Sequence, residues 1–331
     1  MRQDRKIPGT PWSMWQPGIG DAMGSEHVMP AGRVHYRWDN ALPPVMEVEP
    51  GDIVSYDLQE VSGGQITPTS TATDLARMDR DRVYPLAGPV FVKGARPGDA
   101  LEVGILDLRP GAWGWTGIVP GRGLLPEEFA EPYLRIWDLA SHQEAALRDD
   151  IRITLDPFLG TMGVATDEPG AFPVMPPGKF GGNMDIRHLT KGTTLRLPVW
   201  VEGALFSCGD AHAVQGDGEV CISAIEAPMH ATLRVGLSRG LRLPSPQFIT
   251  PGPLVSKHDA KGYYATTGIA PDLMEGARAA VRAMIDHLVR TCRLSREDAY
   301  VLCSVAVDLK ISEVVDTPNW VGSAYLPLSI F

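Results

Sequence analysis

Ser207-Cys208-Gly209-Asp210-Ala211-His212-Ala213-Val214-Gln215-Gly216-Asp217-Gly218-Glu219 is the densest polar cluster of the chain. It joins two strand-like runs, Leu205–Ala213 and Val220–Ala227. Asp217-Gly218 between alternating segments is a strong hairpin signal. A two-residue turn there sets Gly216 against Glu219 and His212 against Ser223. Asp210 and His212 then share one face of a strand, and Glu219 and Cys221 join them from the opposed strand. Glu226 falls on the other side. A longer loop changes this register and with it the faces.

Outward from this stretch the chain keeps the same character. Further strands are expected at Val45–Val48, Ile53–Leu58, Val90–Val92, Ala100–Asp107, Ile151–Leu155 and Thr194–Val201. Asp52-Ile53-Val54-Ser55-Tyr56-Asp57-Leu58 alternates with the period of a half-buried strand. Glu49-Pro50-Gly51-Asp52 and Arg96-Pro97-Gly98-Asp99 are turn signals, each before such a run. Beyond about residue 250 the pattern changes. From Pro271 to Arg290, Leu273, Ala277, Ala280, Val281, Met284 and Leu288 form one helix face, with Pro271 suited to the first turn. Ser295-Arg296-Glu297-Asp298 starts a second helix that runs to about Lys310, and Ile311–Val315 returns to strand. With no linker between the parts, residues 1–331 are expected to form a single unit, β-rich to about 250 and α+β over 251–331.

Composition narrows the function. A chain of 331 residues buries roughly 75% of its unfolded surface, enough for a full core without disulfide or metal staples. A net charge of -10 repels phosphate backbones and anionic lipid, which argues against nucleic-acid and membrane partners. No run approaches the roughly 18 apolar residues of a membrane helix, and no apolar signal region follows the first charges. The cysteines Cys208, Cys221, Cys292 and Cys303 fit neither a zinc motif nor a disulfide framework, so a cytoplasmic protein is expected.

An Asp and a His on one face begin a metal site, since zinc takes imidazole nitrogen and carboxylate oxygen. A third ligand can come from Gly181-Gly182-Asn183-Met184-Asp185-Ile186-Arg187-His188. The competing reading makes Asp185 and Asp217 turn residues and His212 a satisfied strand histidine. Cys208 reads as a small buried residue, because nothing in the sequence lowers its pKa or fixes a base beside it. Trp113 and Trp115, flanked by glycines, can line a substrate mouth or pack a loop.

Gly181 to Gly192, Leu197-Pro198-Val199, Gly203 to Ser207, Gly209 to Val220 and Ala224-Ile225-Glu226 together resemble the acetamidase/formamidase family. Supporting stretches are Val48 to Val54, Gly88 to Val103, Leu294 to Ser304 and Asp308 to Asp316. The resemblance runs in order along nearly the whole chain. It departs at Tyr84-Pro85-Leu86-Ala87-Gly88-Pro89, where many relatives carry His first, and at Cys208, where Val is common. Trp12–Met29 matches nothing in the pattern.

The resemblance implies a mainly β fold, a jelly-roll-like β-sandwich with an added C-terminal α+β part. It also implies hydrolysis of a small linear amide to release ammonia, and an assembly of identical chains. The family's polar positions fall on Asn183, Asp185, Asp210, His212, Gln215, Asp217, Glu219 and Glu226. The mechanism expected is metal-assisted. Asp185, Asp210 and His212 hold a divalent ion, zinc in the first place, and Glu219 or Glu226 moves the proton to the leaving nitrogen. Asn183 and Asp217 complete the catalytic set. The alternatives are a metal-free hydrolase, with a carboxylate base and Asn183 at the oxyanion, or a small-molecule binding protein.

Overall fold

Ile53–Leu58 forms as its alternation predicts, with Val54, Tyr56 and Leu58 buried and Asp57 in solvent. In this computed structural model, which describes residues 24–251 and 261–331, that strand belongs to a six-stranded sheet. Its order is Glu26–Val28, Ile53–Leu58, Met229–Ser238, Ala100–Pro110, Thr194–Pro198 and Gln247–Ile249. Only the first pair is parallel. A second sheet runs Gly181–Asn183, Phe158–Gly163, Phe206–His212, Leu86–Val92 and Val34–His35, all antiparallel, and Met46–Val48 adds to Leu86–Val92 in parallel.

The inner faces of the two sheets meet in one core. Val54, Val103, Leu195 and Leu233 come from the first sheet, and Val90, Leu159, Phe206 and Cys208 from the second. This is the expected β-sandwich. Cys208 packs in it as a small apolar residue, and burial pushes its thiol far above the usual range. A hairpin of Trp113–Ile118 and Tyr133–Asp138 stands beside the second sheet.

The C-terminal part follows the sequence closely. The helix Leu273–Cys292 is capped by Asp272, whose side chain accepts from the Glu275 N–H. Pro271 therefore precedes the cap and lies outside the first turn. Ser295 caps Arg296–Ala306 through the Asp298 N–H. That helix ends at Ala306, short of Lys310, because Asp308–Glu313 is already a strand of a three-stranded sheet with Trp320–Pro327 and Tyr263–Ala270. A second core joins Val281, Met284, Leu302 and Val305 of the helices to Val214, Val220 and Ile225. Of the unmatched Trp12–Met29 stretch, the residues before Gly24 lie outside the described residues, while Glu26–Val28 pairs with Ile53–Ser55. Among the described residues, no helix is long and apolar enough to cross a membrane.

One sequence expectation fails. Val220–Ala227 is not a strand, and Asp217-Gly218 does not close a two-residue hairpin. The segment 213–228 is a loop bound to the C-terminal helix, with Glu219 and Ile222 at positive φ (44° and 75°). Its backbone meets the Phe206–His212 strand again at Glu226, which pairs with His212 instead of Ser223. The shift is an odd number of residues, so it reverses the face. Glu226 lies on the His212 side. Cys221 turns away, with its Sγ near the Gly117 and Ser223 carbonyls.

Asp52 ties the sandwich edge to its entry segment. It accepts from the Ser25 and Glu49 N–H groups (2.8 and 2.9 Å) and from the His27 ring at 2.9 Å. Burial raises its pKa, but these donors outweigh burial and hold the carboxyl below the usual range. Its stabilising contribution is therefore present above the ordinary carboxylate pKa and is lost as pH falls through the lowered value. Asp52→Asn is expected to cost about 1–3 kcal/mol at pH 7. The gap from the native protein should close below about pH 4 in urea titrations.

Candidate active site

His212 ends the Phe206–His212 strand and is fully buried. The Ala213 N–H donates to the Ile225 carbonyl and the Ala227 N–H to the Ala211 carbonyl (2.8 and 3.0 Å). His212 and Glu226 are thus a non-hydrogen-bonded pair, the kind whose side chains lie closest across a ladder. Glu226 is fixed on its other side by two backbone bonds with Trp115 (2.8 and 2.9 Å). His212 Nδ1–H donates to Gln215 Oε1 at 2.9 Å, and Gln215 Nε2 donates to the Asp185 carbonyl at 3.0 Å. The Phe158 ring meets the imidazole edge-on at 4.9 Å. These contacts aim Nε2 at Asp210 Oδ1 (3.3 Å) and Glu226 Oε2 (3.2 Å).

Asp185 arrives from the other edge of the same sheet. The Met184 and Asp185 N–H groups both donate to the Gly160 carbonyl (3.0 and 3.2 Å). Asn183 Nδ2 donates to Asp185 Oδ2 at 3.0 Å, and the Thr161 hydroxyl lies 2.7 Å from Asn183 Oδ1 and 3.2 Å from Asp210 Oδ2. Asp185 and Asp210 both take positive φ (49° and 53°), which Asp tolerates better than most residues. Gly160 makes the meeting possible. A Cβ there would lie 2.5 Å from Asp185 Oδ1 and 2.9 Å from His212 Cε1. Read as sequence, Phe158-Leu159-Gly160-Thr161 carries no sign of this role.

The C-terminal helix holds the loop that carries Glu219. The Gly216 N–H donates to the Ser304 carbonyl (2.8 Å). The Ser304 hydroxyl accepts from the Cys221 N–H (3.1 Å) and donates to the Ser223 carbonyl (2.7 Å). Tyr300 OH donates to the Val220 carbonyl. A Cβ on Gly216 would lie 2.1 Å from the Val307 carbonyl oxygen, so only glycine fits. Thus Glu219, absent from any ladder, still reaches the cluster. Asp217 does not reach it. It faces Lys310 at 3.9 Å, and burial and the Asp308 charge raise its pKa.

Asp185, Asp210, Glu219, Glu226 and Asn183 line one cavity of about 310 Å³, together with Tyr84 and Trp115. Trp115 is fixed by Nε1–H donating to Glu60 Oε2 at 2.8 Å; Trp113 lies outside this lining. Burial drives the Asp185, Glu219 and Glu226 carboxyls up. The neighbouring negative charges reinforce this at each, most strongly Asp210 on Asp185 and Asp185 on Glu219. Burial alone would lower His212, but Glu226 and Asp210 overcome it and raise its pKa well above the ordinary value. Tyr84, at φ 61°, has its phenol raised well above the usual range by burial and by the carboxylates, so it stays a neutral O–H.

The cluster has the makings of a cation site. Asp185, His212 and Glu219 form one compact donor set and Asp210, His212 and Glu226 another, sharing the imidazole. Asp185 Oδ1 is buried with no hydrogen-bond partner. Among the described residues, no lysine or arginine makes an ion pair with any of the four carboxylates. Two buried and two half-buried carboxyls with one imidazole as their basic partner among the described residues leave room for positive charge.

Ser304→Ala removes both bonds of a fully buried hydroxyl. It is expected to lower unfolding free energy by about 1–3 kcal/mol in urea denaturation. A change below about 0.5 kcal/mol would show that the loop does not rest on this contact.

Comparison with known proteins agrees with the geometry. The sequence profile described as the acetamidase/formamidase family matches residues 25–170 and 168–331. A formamidase of Methylophilus methylotrophus is 28% identical, over 91% of this chain and 90% of that one. Among solved structures, a gamma lactamase from Delftia acidovorans superposes with a TM-score of 0.86 at 28% identity, over 93% of each chain. An acetamidase from Bacillus halodurans superposes at 0.65 with 31% identity, over 91% of this chain and 97% of that one. The profile begins one residue past Gly24, after most of the unmatched N-terminal stretch, and spans the rest: the chain belongs to the acetamidase/formamidase family.

Proposed function

We propose that this amide hydrolase cleaves the C–N bond of a small amide and releases ammonia, with a divalent metal ion held by His212 and the carboxylates gathered on it, Asp210 and Glu226 on one side and Asp185 on the other. The observation that carries the reading is the convergence of four carboxyls, two buried and two half-buried, on one buried imidazole, with Asp185 Oδ1 unpartnered. Carboxylate oxygen and imidazole nitrogen are donors that zinc accepts. When bound, the ion supplies Lewis acidity to the amide carbonyl and acidifies the attacking water.

The rest is work for the chain's own groups. Gln215 holds the imidazole so that Nε2 faces the cluster, and Asn183 holds Asp185 by Oδ2. One Asn183 amide hydrogen remains for the oxyanion, and Tyr84 offers a neutral O–H to the same cavity. Glu219, whose raised pKa favours its protonated form, gives its proton to nitrogen as water oxygen adds to the carbonyl carbon and the C–N bond breaks, and the proton released by the water restores it. Glu219 suits this better than Glu226, whose Oε1 accepts the Ala224 N–H (3.1 Å) and whose Oε2 sits against His212. Asp217 has no part in the step. A cyclic amide is a second substrate reading, favoured by the TM-score of 0.86 to a protein named a gamma lactamase.

The test is turnover of a panel of linear and cyclic amides, read as ammonia for the linear and as ring-opened amino acid for the cyclic ones, before and after exhaustive demetallation, with metal content measured for the native protein and His212→Ala. Activity lost with the metal and regained on its return is expected. Full activity after verified demetallation would remove the metal from the mechanism, and no turnover of any amide would sink the reading as a whole. Gly160→Ala is expected to lower kcat/KM on the order of 100-fold, because displacement of a catalytic group by about 1 Å costs that much. A folded, fully active Gly160→Ala protein would show that Asp185 and His212 need not meet there.

A further inference from the structure

The cavity has two chemically opposite ends. Its floor is the carboxylate cluster, and its exposed charged lining is Arg37, Arg80, Asp81 and Arg122. Val61, Met78, Val83, Val119 and Ile222, all less exposed than the arginines, complete an apolar lining. Arg37 is neutralised by Asp81 at 3.3 Å. Arg80 and Arg122 are not: among the described residues neither makes an ion pair with a carboxylate, and Arg122 Nη1 has only Met175 Sδ at 3.7 Å. They lie close enough for the Arg122 charge, after burial, to depress the pKa of Arg80. On a chain of net charge -10, acidic partners are plentiful, yet both of these arginines line the cavity without one. Such a pair repels itself until an anion bridges it, and the planar guanidinium fork suits a carboxylate.

The size of the space adds to this. About 310 Å³ is far more than formamide or acetamide fills, and it reaches the range of roughly 300–1,000 Å³ typical of pockets for larger ligands. Resting on the amide-hydrolase reading, we propose that Arg80 and Arg122 form a carboxylate subsite at the cavity mouth and that the substrate is an amide carrying a terminal carboxylate on a short apolar chain. The amide reaches the floor, the methylene chain runs along the apolar lining, and the carboxylate stays between the two arginines. Hydrolysis adds water across the C–N bond, so the products are a dicarboxylate and ammonium.

The experiment compares two amides of equal length on the full chain: glutaric acid monoamide and the uncharged pentanamide. The carboxylated amide is expected to have a kcat/KM at least tenfold higher on the order of a charge-assisted contact, with the gain in KM and its size shrinking as salt is raised. In Arg80→Gln/Arg122→Gln the preference ratio should fall at least about tenfold. A preference that survives the double substitution, or equal use of the two amides by the native protein, overturns the subsite while leaving amide hydrolysis standing. If neither amide is turned over, it is the hydrolase reading that fails, and thermal stabilisation by glutarate still reads the subsite. Stabilisation by glutarate that the double substitution abolishes supports it. No stabilisation, or equal stabilisation by acetate, overturns it.

Discussion

Gathering four carboxyls, two buried and two half-buried, around one buried histidine is the constraint on which the rest of the site depends. Outside water such groups repel one another and lose solvation, so they stay together only if the backbone leaves them no alternative. The chain provides this through several independent anchors. Asp210 and His212 are fixed by the central strand, Asp185 by two N–H groups on the Gly160 carbonyl, and Glu226 by its bonds with Trp115. The resulting field explains the raised carboxyl pKa values and the raised His212 pKa together, since each is the response of one group to the others. A bound cation would answer the same field.

The two parts of the fold divide this task. The sandwich supplies a rigid sheet edge, packed by Leu159, Phe206 and Cys208. The C-terminal part supplies the buttress: Tyr300 and Ser304 bind the loop 213–228 at Gly216, Val220, Cys221 and Ser223. The α+β region therefore takes part in building the site, although every proposed catalytic side chain comes from residues before 228.

Charge is also arranged along the cavity. Acid groups are deep, where low polarity strengthens their action, and the arginines are at the rim, where water lowers the cost of keeping them apart. Chemistry set by the buried cluster and selectivity set by the mouth can then vary independently, which suits a scaffold shared by proteins named for formamide, acetamide and a lactam.

Much of this was legible in the sequence. The alternation of Ile53–Leu58, the cap at Ser295 and the helical stripe from Leu273 are local features, decided by neighbours within a few residues, and they stand where the pattern put them. The family resemblance likewise marked Asn183, Asp185, Asp210, His212, Gln215, Asp217, Glu219 and Glu226 as one group, of which Asp217 stays outside the cluster. What local pattern could not decide was register. The turn at Asp217-Gly218 forms, but the loop's attachment to Ser304 and Tyr300, about eighty residues further on, sets which residue faces His212. That choice turned Glu226 inward, sent Cys221 away and left Asp217 beside Lys310. Gly160 was invisible for the same reason, because its value is an empty space that exists only once two distant strands close on it. The sequence by itself determined the elements and the kind of chemistry, since propensity and residue type are local. The tertiary structure alone decided which side chains meet, since that depends on contacts between segments far apart in the chain.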